Sequence, residues 1–98
     1  DNIALIKGDF LETVDQYISN NPHTIVSLLY LDFDLYEPTK KALEVFLPRM
    51  PRGAIVAFDE INCSTFPGET EAYNEIMTIK NHKILRSTID PWISYIQL

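Results

Sequence analysis

Two apolar runs in this chain end abruptly in carboxylates. Thr24 to Leu31 reads TIVSLLYL and continues into Asp32-Phe33-Asp34; Ala54 to Phe58 reads AIVAF and continues into Asp59-Glu60. Short runs with almost no polar residue are how strands covered on both faces look, and such strands belong to parallel sheets. Neighbouring parallel strands need a crossover between them, usually a helix. The rest of the chain has to supply those crossovers.

Helical patterns stand where they are needed. Glu12 to Asn20 places Val14, Tyr17 and Ile18 at i, i+3 and i+4, one stripe of an amphipathic helix. Asn20-Asn21-Pro22 stops it. After Asp34, Pro38 suits a first helical turn. Leu43, Phe46 and Leu47 form a second stripe, broken by Pro48, Pro51 and Gly53. Beyond the polar loop Asn62 to Gly68, Glu69 to Ile79 predicts a third helix with Ala72, Tyr73, Ile76 and Met77 inward. Ile3 to Ile6 is a short β-leaning run ended by Gly8-Asp9. Lys83 to Ile89 and Trp92 to Leu98 are two more, and Asp90-Pro91 between them reads as a turn, hence an antiparallel pair. The expected order is β-α-β-α-β-α-β-β, an α/β chain with helices on the faces of a parallel sheet.

At 98 residues this is one domain at most. No apolar run approaches the ~20 residues a bilayer needs, so no membrane partner is expected. No signal pattern opens the sequence, and the lone Cys63 excludes an internal disulfide, which points to a reducing, cytoplasmic setting. Eight basic against fourteen acidic side chains give a net charge of −6. A general nucleic-acid binder needs the opposite balance.

In open parallel sheets the chemistry sits at the carboxyl ends of the strands. Asp9, Asp32, Asp34, Asp59 and Glu60 are therefore the first candidates. If the two apolar strands are neighbours, Asp32-x-Asp34 and Asp59-Glu60 lie side by side. Carboxylates held that close repel and are driven to protonate. A hard divalent cation relieves this, and oxygen-only ligands suit Mg²⁺. The alternative is that these residues cap the helix or turn after each strand, and Asp9 reads equally as a turn residue after Gly8.

Other motif readings compete. AIVAFDE resembles an ATPase strand, but the chain has no glycine-rich phosphate loop with a lysine. LDFDLYE resembles the motif of aspartate-nucleophile phosphatases, but Tyr36 stands where Thr or Val is expected. A DxD pair alone also suits a sugar-nucleotide site. His23 and His82 read as exposed loop residues, and Cys63 is too isolated for a nucleophile. Tyr36 and Tyr73 read as packing residues, with pocket lining as the alternative, and Trp92 as core. Lys40 and Lys41 read as ordinary solvated helix residues.

Taken in order, Lys7-Gly8-Asp9-Phe10-Leu11-Glu12-Thr13, Leu31 to Thr39 and Arg52 to Glu60 resemble the macrocin-type O-methyltransferases, class I S-adenosylmethionine enzymes of antibiotic and sugar tailoring. The D-x-D-L-Y-x-x-T stretch, Asp32 to Thr39, is the specific part. Pro67-Gly68-Glu69 and the final β-pair fit it too. The resemblance covers almost the whole chain but only about the second half of the family's catalytic domain. The family's glycine-rich methionine-binding turn and ribose-gripping acid belong upstream and are not in this sequence.

What the resemblance implies is specific. Residues 1–98 would be a single partial domain, the C-terminal part of a Rossmann-like methyltransferase sheet. The family's strand order is 3-2-1-4-5-7-6 with the seventh strand antiparallel, and this chain would supply strands 3 to 7. Ile3 to Ile6 would then lack its usual neighbour and is expected to be disordered, re-paired beside strand 4, or paired with another chain. Position by position, Asp32, Asp59 and Glu60 match the family's Mg²⁺ ligands and Asp34 its general base. Asp9 and Phe10 fall where adenine is contacted, and Asp32 also borders the cofactor. The family usually has Asp at the position of Glu60 and an aromatic residue at that of Asp9. The implied activity is Mg²⁺-dependent methyl transfer from S-adenosylmethionine to a hydroxyl of a sugar or natural product, with the fragment alone expected to be inactive and self-association left open. The alternative of a different class is a non-catalytic α/β remnant or interaction domain without a cofactor site.

Overall fold

Residues 2–59, 68–76, 84–89 and 93–98 are described by the computed structural model. The expectations on Glu60, Cys63, Pro67, Met77, His82 and Trp92, and on the Asp90-Pro91 turn, lie outside these residues.

The two apolar runs form strands β1 (Leu28–Leu31) and β2 (Ile55–Phe58), which are parallel neighbours with Leu31 opposite Phe58. Helix α1 (Phe10–Asn20) precedes β1, and α2 (Tyr36–Phe46) with a short 3₁₀ turn at Leu47–Arg49 makes the crossover between the strands. Helix α3 (Gly68–Ile76) follows β2. Strands β3 (Leu85–Arg86) and β4 (Ser94–Gln97) are antiparallel to each other, and β4 is antiparallel to β2. The sheet order β1-β2-β4-β3 reproduces the expected 4-5-7-6 part of the family sheet, with its antiparallel final pair.

The helices pack on one face of this sheet. Leu29, Leu31, Val56, Phe58 and Ile96 meet Ala42 and Leu43 of α2 and Ala72 and Tyr73 of α3 in a single buried cluster. The Phe58 and Tyr73 rings meet edge to face, 5.6 Å between centroids, the arrangement that aromatic quadrupoles favour. Val14, the first residue of the predicted α1 stripe, is buried, with Tyr17 and Ile18 half-buried beside it. Lys41 pairs with Asp15 at 3.0 Å between α2 and α1.

Two expectations are corrected. Ile3 to Ile6 forms no strand and pairs with none; Ile3 and Leu5 are almost fully exposed. An apolar, β-leaning run needs a ladder partner to become a strand, and none of the described residues provides one. Thr24 to Leu31 is also not a strand covered on both faces. Thr24 ends a turn, its hydroxyl donating to the Asn21 carbonyl at 2.7 Å, and regular pairing begins only at Leu28. Within β1 the burial alternates: Leu29 and Leu31 face the helices, whereas Leu28 and Tyr30 stay exposed on the opposite face. β1 is an edge strand with helices on one side, so among the described residues only that side is covered.

Candidate acidic site at the strand ends

The parallel register brings the acidic ends together. Leu31 lies opposite Phe58, and the Asp59 amide donates to the Leu31 carbonyl at 3.0 Å, extending the ladder one residue past the strands. Asp59 is thereby fixed beside Asp32. The chain then leaves extended geometry: Asp34 has φ +61°, the left-handed region that Asp tolerates better than most residues. Continued strand alternation would put Asp32 and Asp34 on one side of the sheet end, but the strand does not continue to Asp34. A turn, not a strand, swings Asp34 into the group. One oxygen from each of Asp32, Asp34 and Asp59 lies within 4.8 Å of the others.

The electrostatics follow from that crowding. Asp32 is held above the usual carboxylate range, first by a hydrogen bond shared with Asp59, then by desolvation and by the charges of Asp59 and Asp34. Keeping a proton is how a carboxyl group answers like charges at close range. An all-oxygen set with surplus negative charge fits a hard divalent cation. The fourth candidate, Glu60, lies outside the described residues.

Neighbouring elements hold the turn in place. The first residue of α2 is preceded by Leu35, and no side chain caps this helix end, so Asp34 does not serve as its cap. The buried Thr39 hydroxyl donates to the Leu35 carbonyl at 2.7 Å. Gly68 opens α3 directly against the turn: a Cβ there would sit 2.6 Å from the Leu35 carbonyl carbon and closer still to the Tyr36 nitrogen. Glycine is required where two backbones approach this closely. The Tyr36 hydroxyl donates to Glu75 of α3, and Lys40 reaches the same carboxylate at 2.9 Å. Lys40 is therefore no ordinary solvated lysine; it is shared between two helices, lies 5.6 Å from the Tyr36 ring centroid, and has its pKa raised chiefly by the Glu75 hydrogen bond.

At the first turn, Asp9 caps α1, its carboxylate accepting from the Leu11 amide at 3.0 Å. Phe10 packs against Phe33 with 4.8 Å between centroids and the rings tilted by 50°. This pair borders a cavity of about 390 Å³ that Ile6, Val14, Tyr17 and Phe46 help to line. His23 is exposed, as expected.

Sequence reasoning missed Tyr30, whose hydroxyl donates to Asp59 at 2.9 Å. It stands two residues before Asp32 on the same strand face, a parity that could have marked it, but within an apolar run it reads as packing. It also missed Glu75, whose partners lie 35 and 39 positions away.

Known structures decide what this arrangement is similar to. The apo structure of CalS11, a TDP-rhamnose 3'-O-methyltransferase of calicheamicin biosynthesis, superposes with a TM-score of 0.89 at 39% identity, over 95% of this chain and 40% of CalS11. The structural neighbours are O-methyltransferases. A second CalS11 structure gives the same TM-score and identity and is covered over 36% of its length. The O-methyltransferase NovP follows with a TM-score of 0.60 at 27% identity, over 72% of this chain and 28% of NovP. The chain thus spans less than half the length of CalS11, and its fold matches a C-terminal fragment of a methyltransferase. No family model and no curated protein matches the sequence. No helix among the described residues is long and apolar enough to cross a membrane.

Proposed function

We propose that this chain carries the acceptor- and cation-binding part of an S-adenosylmethionine-dependent O-methyltransferase acting on a hydroxyl of a sugar or other natural product. The observation that carries this reading is the convergence of Asp32, Asp34 and Asp59 at neighbouring strand ends. The likeness to CalS11 supports it, and CalS11's acceptor makes nucleotide-linked sugars the first substrates to assay.

Asp32 and Asp59, with Glu60, would hold Mg²⁺. When bound, Mg²⁺ would lower the pKa of an acceptor hydroxyl and S-adenosylmethionine would supply the methyl group. The protein's own part is to place the hydroxyl and take its proton. Asp34 accepts that proton at a carboxylate oxygen, which leaves the acceptor oxygen a competent nucleophile. Its left-handed backbone aims it at the group formed by the other two acids. Gly68 and the Tyr36–Glu75–Lys40 contacts hold this turn against α3, so the base keeps its position. Asp9 and Phe10 border the cofactor side, and the apolar cavity beside Phe10 supports a flat aromatic group there. A cytoplasmic setting and a small-molecule acceptor, with neither nucleic acid nor membrane as partner, complete the reading.

The test uses the full-length protein, with the cofactor-binding half that this reading requires. Calorimetric titration with Mg²⁺ should show binding that Asp59→Asn weakens about tenfold or more while the melting temperature is kept. Methyl transfer to a panel of nucleotide sugars should cease in excess chelator. Full activity in chelator would remove the cation, and transfer to none of the panel would remove the sugar acceptor.

A further inference from the structure

We propose that Tyr30 is a positioning residue for the acidic site, its phenol fixing the rotation of the Asp59 carboxylate toward a bound cation. This rests on the cation reading above. Register explains why Tyr30 can act there. Tyr30 lies opposite Ala57, and Asp59 is two residues further along, so both side chains belong to the same sheet face. A diagonal neighbour on an adjacent strand is within reach of an aromatic side chain. The Tyr30 hydroxyl uses that reach, donating to Asp59 Oδ1 at 2.9 Å. Backbone and side chain of Asp59 are therefore both held from β1: its amide by the Leu31 carbonyl, its carboxylate by Tyr30.

A carboxylate at the end of a short strand otherwise rotates about its own side-chain bonds, and each lost rotation is an entropy cost that falls on binding. Groups that hydrogen-bond a metal-ligating carboxylate remove that cost, and altering such a partner typically lowers metal affinity about 10–100-fold. Core packing does not account for the residue. Tyr30 lies on the sheet face away from the helices and is 47% exposed. The phenol is the part aimed at the site, and Tyr30→Phe removes that oxygen alone.

The experiment is Mn²⁺ titration of the full chain by calorimetry, in the unaltered protein, Tyr30→Phe, Asp59→Asn and the double variant. Tyr30→Phe should weaken Mn²⁺ binding about tenfold or more with an unchanged melting temperature. In the Asp59→Asn background the same substitution should change nothing, because its effect passes through that carboxylate. A Tyr30→Phe affinity within about twofold of the unaltered chain, which itself binds Mn²⁺, overturns the role of Tyr30 and leaves the cation reading standing. An equal loss in both backgrounds shows an effect not carried by Asp59 and also overturns it. An unaltered chain that binds no Mn²⁺ overturns both.

Discussion

Two turns in this molecule are built from the same pair of residues and put them to different use. Gly8-Asp9-Phe10 leads into α1 and Asp32-Phe33-Asp34 leads toward α2, and their phenylalanines pack against each other. In the first turn Asp9 is extended, the helix starts at the next residue, and the carboxylate accepts from the Leu11 amide. In the second, the turn runs on to Leu35 and the helix begins without a side-chain cap. The acids of the second turn face each other and Asp59 instead. A carboxylate spent on helix amides serves the helix, whereas the second turn places its carboxylates beside other acids, the setting that favours a cation. Helix α2 manages without the cap partly because Pro38, in its first turn, has no amide to satisfy.

The sharpest test of this contrast is Asp34→Asn in the full-length protein that carries the cofactor-binding half. Asn tolerates the left-handed region as Asp does, so the turn should survive. The turnover number should fall about 10²–10⁴-fold, the usual contribution of a general base, while Mg²⁺ affinity stays near that of the unaltered chain. A loss under about fivefold would take the base role from Asp34. Asp9→Ala should do the reverse: stability should drop by about 1 kcal/mol, the cost of a lost cap, with Mg²⁺ affinity untouched. If Asp9→Ala slows turnover as severely as Asp34→Asn, the two turns are not divided in this way. The smallest effect belongs to the contacts behind the second turn. Glu75 is held below the usual carboxylate range, first by the Tyr36 hydroxyl and then by Lys40. A lowered folded-state pKa gives stability that is present above the unfolded value and is lost as pH falls through the lowered one. Thermal melts on acidification should therefore decline more steeply for the unaltered chain than for Glu75→Gln, and coincident curves would show that the helix link adds nothing measurable.

The acidic strand ends were legible because both strands lie in short apolar runs and the residue after such a run sits at the sheet's end, even though β1 proved to be covered on one face only. The turn at Asp34 was not legible, since strand parity stops carrying information once the backbone turns left-handed. Ile3 to Ile6 shows the limit of composition: its residues favour a strand, but a strand is a property of two segments and this one has no partner among the described residues. The Lys40–Glu75 pair depends on how α2 lies on α3, and no periodicity within either helix encodes a contact between them.

Gly68 has a consequence beyond packing. Most joints between a helix and a loop have slack, because a side chain can change rotamer when something nearby changes size. Here the seam between α3 and the turn after Asp34 is backbone against backbone, and it has no clearance to give up. Any added carbon must be absorbed by displacing the helix as a rigid rod, and Tyr73, about one and a half turns along it, is wedged against Phe58 in the core. The spacing between the Asp34 turn and the hydrophobic interior is thus set by one missing methyl group. A drift in that spacing would register at once as a packing defect, so the core acts as a gauge for the alignment of the site.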